Sequence, residues 1–142
     1  MLIASKEWIA PVDYKVYCYH GKATYILVCI GREKGGHPKF YFMDRNWELM
    51  IFGRDAKENP DISIPKPACF DKMMECAEKL SKPFPFVRVD FYSVGERLIF
   101  GELTFTPSGG VNTAHFPEAD LEMGRLLDLE CMEISLRNKD NS

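Results

Sequence analysis

The chain has 142 residues, with 18 Lys and Arg against 21 Asp and Glu, so its formal net charge is −3. This acidic balance, with scattered basic residues, argues against a nucleic-acid-binding surface, which needs a basic patch. No apolar run approaches the roughly 18 residues that span a bilayer, and no secretory signal pattern is present at the N-terminus. The length suits one domain with a buried core, and we expect residues 1–142 to form a single domain.

The cysteines indicate a reducing environment. There are five, an odd number, and no two form a C-x-x-C pair with metal-ligand spacing. Most stand at apolar positions, where a free Cys behaves as a small hydrophobic residue. We therefore expect the protein to be cytoplasmic.

The first predicted elements are strands. Lys15 to His20 and Ala23 to Ile30 form a predicted β-hairpin that turns at His20-Gly21-Lys22. A third strand is predicted from Lys39 to Met43. The polar, proline-containing stretch from Asp55 to Pro67 is predicted to be a surface connection.

A helix is predicted from Phe70 to Leu80, because its apolar residues recur on one face at helical spacing and Pro83 follows. We expect it to pack on the back of the next hairpin, against Val87, Val89, Ile99 and Leu103. A short helix is predicted from Leu121 to Leu127. The predicted fold class is therefore α+β, an antiparallel β-sheet with a long helix packed on one face.

The segment from Phe86 to Gly110 is predicted to form two strands joined by a tight turn. Side chains two apart on a strand share a face, so Arg88 and Asp90 point the same way. If the loop has an odd length, such as Gly95 to Arg97, Glu102 lies on the same face, opposite Asp90. Like charges in that position repel, so a positive group should lie between them. Arg88 and a divalent metal are the two candidates.

The residues alone leave the role of these acids open. A structural ion pair is common on half-exposed strands, whereas the surrounding phenylalanines predict a buried sheet in which uncompensated acids are costly. Facing carboxylates would also suit a glycosidase, but the sequence predicts no aromatic platform for a sugar. The three histidines lie far apart in loops, and we interpret them as surface or turn residues.

The hairpin resembles the metal-binding core of the ATP-grasp superfamily. In that core, an R-x-D strand is followed by a strand ending in E-x-N and by a turn rich in Pro and Gly. Arg88-Val89-Asp90 matches the first strand and Glu102 the second, with Thr104 at the usual Asn position. The resemblance implies that Asp90, Glu102 and Thr104 hold magnesium on ATP. It also implies a catalytic role for Arg88, in contact with the transferring phosphoryl group.

A narrower resemblance spans roughly Trp8 to Leu127. Several motifs resemble, in order, the TupA-like ATP-grasp family of the teichuronopeptide-biosynthesis type: Asp13-Tyr14-Lys15, His20-Gly21-Lys22, Asn46-Trp47-Glu48, FPFVRVDFY and FGELTFTPSGG. The string GELTFTP is characteristic of that family, so Thr104 is expected there. Its members are associated with bacterial surface polysaccharide and capsule synthesis.

The resemblance also implies nucleotide contacts. An acid at the place of Asp13 hydrogen-bonds the ATP ribose, and the hinge that contains Trp8 and Ile9 contacts adenine. Lys15 is grouped with these cofactor-binding residues without an assigned chemical role. The implied fold is an ATP-grasp C-terminal subdomain. Because no Gly-rich phosphate loop precedes Lys6, we expect the chain to be the C-terminal half of a longer enzyme.

Two functions follow as hypotheses. The first is a Mg-ATP-binding domain that forms an acylphosphate from a carboxylate, which an amine or thiol then attacks. Its substrate would be a carboxylate- or sugar-containing small molecule, such as a uronic acid, amino acid or amino-sugar unit. The alternative is a non-catalytic module that associates with itself or with a separate N-terminal lobe. We expect weak or no activity from this chain alone.

Overall fold

The computed structural model describes residues 12–31, 37–105 and 117–127. The strands in these ranges are β1 (Val12–Tyr19), β2 (Lys22–Ile30), β3 (Lys39–Met43), β4 (Leu49–Met50), β5 (Phe86–Val94) and β6 (Arg97–Thr104). The helices are α1 (Arg54–Glu58), α2 (Phe70–Ser81) and α3 (Pro117–Arg125). The strands form one antiparallel sheet in the order β4-β3-β2-β1-β5-β6. The predicted α+β class, built on an antiparallel sheet, is confirmed.

The predicted first hairpin is confirmed. Strands β1 and β2 join through His20 and Gly21, which have positive φ values of 50° and 79°. A two-residue turn with both central residues at positive φ matches the right-handed twist of the paired strands. The prediction for Asp55 to Pro67 is wrong at its start, because α1 begins at Arg54. This five-residue helix buries only Ala56 and so leaves no amphipathic pattern in the sequence.

Helix α2 covers the back face of the sheet. It buries Phe70, Met73, Met74 and Ala77 in a core with Val87 and Val89. The predicted helix is therefore present. At 12 residues it has the ordinary length of about 11–12 for a helix, so the expectation of a long helix is not met.

Helix α3 covers part of the opposite face, which we call the front face. A second core on this face joins Ala119 and Met123 of α3 to aromatic side chains of the sheet. The Tyr25 hydroxyl donates a hydrogen bond to Glu122 at 3.2 Å. The predicted C-terminal helix is confirmed, although it begins at Pro117 rather than Leu121. The front face also carries the charged residues described below.

In the ranges that the structure describes, we find no helix with the length and apolar character that crossing a membrane requires.

Candidate functional site

The β5–β6 hairpin places its acids on the front face through a turn length and a strand register that the sequence did not predict. Its turn contains two residues, Gly95 and Glu96, so the predicted three-residue loop is wrong. A two-residue turn alone would put Glu102 on the back face, because opposed residues share a face. However, the register shifts by one residue across Asp90. Gly101 and Glu102 therefore oppose a single residue, which is a β-bulge.

The bulge restores the predicted juxtaposition. Beyond it, Thr104 pairs directly with Arg88, and the Arg88 guanidinium lies 3.8 Å from Glu102 Oε1. The same bulge explains one wrong packing prediction. Ile99, on the turn side of the bulge, pairs with Tyr92 and is 42% exposed, so it does not join the back-face core.

Asp90 lies at the centre of the site and is 2% exposed. Its Oδ1 accepts a hydrogen bond from Arg88 Nε at 2.8 Å, and its Oδ2 accepts one from Arg88 Nη2 at 2.9 Å. This bidentate arrangement is a strong form of charge-assisted hydrogen bond. Oδ2 also accepts a hydrogen bond from Lys15 Nζ at 2.9 Å. Arg88 is one of the two positive groups that the sequence analysis named as candidates, and Lys15 is a further positive group that it did not name.

Lys15 reaches Asp90 because the two residues pair directly between β1 and β5. Its ammonium also lies 3.0 Å from Asp13 Oδ2, so it bridges two buried carboxylates. Burial lowers the pKa of Lys15, but the hydrogen bonds and charges of Asp90 and Asp13 outweigh that effect and raise the pKa above its usual value. The ammonium is therefore charged at neutral pH.

Arg88 is fixed by more than one partner. Burial lowers the pKa of Arg88, but the hydrogen bonds and charge of Asp90 outweigh it, and the pKa is raised. Its Nη2 also donates to Thr104 Oγ1 at 3.3 Å. Since its side chain is only 13% exposed, Arg88 presents a buried, permanent positive charge in one orientation.

Glu102 forms the solvent side of the site. Its side chain is 67% exposed, and the Thr104 hydroxyl lies 3.5 Å from its Oε1. Such an exposed contact contributes little to stability, so the Glu102 carboxylate can turn toward a ligand that arrives from solvent. The site thus has a buried, paired acid on its inner side and a solvent-facing acid on its outer side.

Tyr17 is a site residue that the sequence analysis missed. It pairs with Arg88 across β1 and β5, so the two side chains are neighbours on the front face. Its ring packs against Phe42 and Phe86, with centroids 5.4 and 6.0 Å away. Burial raises the pKa of Tyr17, although the Arg88 charge acts in the opposite direction. The sequence did contain a signal for Tyr17. Asp13, Lys15 and Tyr17 are two residues apart along β1, so their side chains share a face.

Other residues of the resemblance lie elsewhere. Trp47 belongs to the back-face core, where it packs against Phe70 at 5.3 Å and donates its indole N–H to the Ile64 carbonyl at 2.8 Å. Trp8 and Ile9, predicted to contact adenine, lie outside the described residues. So does the Pro- and Gly-containing turn at 106–110.

The donor set fits magnesium that arrives with phosphates. Within the described ranges, no three His, Cys, Asp or Glu side chains are close enough to hold a metal ion. The predicted set instead has two carboxylates, Asp90 and Glu102, and the Thr104 hydroxyl. Magnesium favours oxygen ligands and is commonly held by one or two carboxylates, with phosphates and waters completing the octahedron. Asp90 accepts three hydrogen bonds, and a carboxylate has about four lone-pair sites, so one acceptor position is left.

Comparison with known proteins gives one family. The family model described as TupA-like ATPgrasp matches residues 3–128, which include both strands of the site hairpin and all of β1. Neither a curated protein nor a solved structure matches the chain significantly.

Proposed function

Because the chain belongs to the TupA-like ATP-grasp family, we propose that it binds Mg-ATP at the front face of the β5–β6 hairpin. The observation that carries this proposal is the convergence of Arg88, Asp90, Glu102 and Thr104 around one position, with one acid open to solvent. A purely structural ion pair would be complete with Arg88 and Asp90 and would have no need of a neighbouring exposed acid.

Each residue has a distinct role in this proposal. Asp90, Glu102 and Thr104 hold the metal, and Arg88 binds the transferring phosphoryl group through its buried guanidinium. Magnesium, when bound, neutralises charge on the phosphate oxygens. The bidentate pair with Asp90 keeps the guanidinium aligned, so little reorganisation is needed when a phosphate approaches. The predicted contacts of Asp13 and Lys15 with the nucleotide, and of Trp8 and Ile9 with adenine, remain predictions.

The reaction we propose is activation of a carboxylate as an acylphosphate for attack by an amine or thiol. The family supports a carboxylate- or sugar-containing substrate from bacterial surface polysaccharide synthesis, in a reducing cytoplasm. The charge arrangement is compatible with this chemistry, because Arg88 presents a guanidinium beside the position at which anionic phosphates would lie.

Isothermal titration of ATP, first with magnesium and then with EDTA, tests the site. We expect binding that needs the metal and that Asp90→Asn or Glu102→Gln weakens at least about tenfold, which is roughly 1.4 kcal/mol. Glu96→Gln is the matched control, because Glu96 is exposed in the turn of the same hairpin. If both site variants bind ATP as the parent does, the assignment is wrong.

A second candidate function is non-catalytic assembly. Strand β6 is the outermost strand of the described sheet. Exposed apolar side chains lie on it (Ile99 at 42%, Phe100 at 51%), at the end of β5 (Val94 at 40%) and just after β6 (Phe105 at 49%). An unpaired strand edge with exposed apolar side chains favours association with another chain. A protein that self-associates and binds no nucleotide would favour this function over the first.

A further inference from the structure

Lys15 is placed unusually for a residue that would contact a ligand. It lies in β1, which is paired on both sides by β2 and β5, and it is 9% exposed. Lysine is almost never buried to this degree unless it is paired. Its Nζ donates a hydrogen bond to Asp90 Oδ2 at 2.9 Å and forms an ion pair with Asp13 Oδ2 at 3.0 Å. Its ammonium is therefore committed to protein acids.

Charge balance gives this bridge a specific consequence. Among the described residues, Asp13, Lys15, Arg88 and Asp90 bring two acids and two bases into contact in the interior of the front face. Loss of Lys15 alone would take one ammonium away from two buried carboxylates, those of Asp13 and Asp90. An uncompensated buried charge is strongly unfavourable, so removal of one partner of a buried pair is destabilising. Of the two cationic side chains that hold the Asp90 carboxylate, only Arg88 would remain, so Asp90 would be less firmly fixed.

We propose that Lys15 is a positioning residue: its ammonium ties Asp90 to Asp13 and holds the Asp90 carboxylate in place as a ligand for magnesium, without touching the nucleotide. This inference rests on the proposed function of the site. It differs from the role that the resemblance implied, in which Lys15 belongs to the nucleotide contacts. The two roles predict different effects of Lys15 and Asp13 substitutions on the magnesium concentration that binding requires, so an experiment can separate them.

The experiment measures the magnesium concentration that gives half-maximal binding of a fluorescent ATP analogue. We expect Lys15→Met to raise this concentration at least about tenfold, roughly 1.4 kcal/mol. The double variant Asp13→Asn/Lys15→Met should return it to near the parent's value, because the remaining Arg88–Asp90 pair is balanced. Lys15→Arg, which keeps the charge, should stay close to the parent. Lys22→Met is the control, since Lys22 is exposed on the same hairpin.

Each outcome decides a different question. Metal-dependent binding by the parent, with an unchanged magnesium requirement in Lys15→Met, overturns only the inference. A double variant as impaired as Lys15→Met also overturns it, because a direct nucleotide contact would not be restored by removal of Asp13. If Lys15→Met does not fold, the double variant alone decides, and thermal unfolding shows which variants are folded. No metal-dependent binding by the parent overturns the proposed function and the inference with it.

Discussion

Gly101 lies against the backbone of Asp90. A Cβ atom at position 101 would stand 3.1 Å from the Asp90 carbonyl oxygen and 3.1 Å from the Tyr92 ring. The bulge that returns Glu102 to the front face therefore depends on a residue without a side chain at this position. The position of Glu102 in the site therefore depends on glycine being the residue at position 101.

Gly101→Ala should destabilise the hairpin and impair the site together. The added methyl presses on backbone, which cannot move aside as a side chain can, and overpacking of this kind costs about 1–3 kcal/mol. Urea unfolding measures the stability, and ATP titration measures the site. Gly124→Ala in α3 is the control, because nothing lies within 4 Å of its added Cβ. It should be neutral or stabilising, since Ala favours a helix over Gly by up to about 1 kcal/mol. Equal stability of Gly101→Ala and the parent would contradict the close approach.

Arg88→Gln should lower the free energy of unfolding even without any ligand. Asp90 would keep Lys15 but lose its bidentate partner, so we expect the lower end of the about 3–5 kcal/mol that a broken buried pair costs. Arg97→Gln, an exposed change on the same hairpin, should stay within about 0.5 kcal/mol of the parent. Chemical denaturation of both variants checks this. Comparable stability for the two would mean that the Arg88–Asp90 pair contributes nothing.

Magnesium alone should stabilise the protein little. The Asp90 carboxylate already accepts hydrogen bonds from Arg88 and Lys15, so the metal needs phosphate oxygens to complete its ligands. A ligand that binds only the folded state raises stability by an amount that grows with the ratio of its free concentration to its Kd. Thermal unfolding should therefore show a small shift with magnesium, a small shift with ATP in EDTA, and a larger shift with both than the sum of the two. A large shift with magnesium alone, at matched ionic strength, would contradict the shared metal and phosphate site.

Stability should fall at alkaline pH partly through Cys18. Burial raises the pKa of this thiol from 9.0 to about 11. A raised pKa in the folded state means that the folded protein retains a proton which the unfolded chain has released. The stability that Cys18 contributes in this way is therefore complete below pH 9 and is lost as pH rises toward about 11. Its size is about 2–3 kcal/mol. Cys18→Ala should lack this loss, so the stability gap between parent and variant should narrow over that interval. A gap that stays constant would refute the assignment.

Self-association, if it occurs, should depend on the outer edge of β6. Ile99→Thr removes exposed apolar surface while it keeps a β-branched side chain suited to a strand. We expect it to shift the protein toward the monomer in sedimentation velocity. Ile51→Thr is the control, because Ile51 is 49% exposed but lies outside the strands and helices. An equal effect of both changes would point to general hydrophobicity instead of a specific edge.

The sequence predicted the elements whose signals are local. Helix α2 repeats apolar residues at 3.6-residue spacing, and the turn at His20 and Gly21 has the small residue that positive φ requires. The alternation along β5 correctly put Arg88 and Asp90 on one face, because side-chain direction on a strand depends only on position along it. The weak elements, β4 and α1, were missed because two and five residues are too few to show a period.

The tertiary structure decided what depends on partners distant in sequence. Glu102 shares a face with Asp90 through a bulge whose position is set by the β5–β6 register, and the sequence prediction reached the same face through a wrong loop length. The link between Lys15 and Asp90 joins residues 75 positions apart, and it exists because β1 inserts beside β5 in one particular register. A pattern in one strand fixes which way its side chains point, whereas pairing between strands fixes which side chains meet.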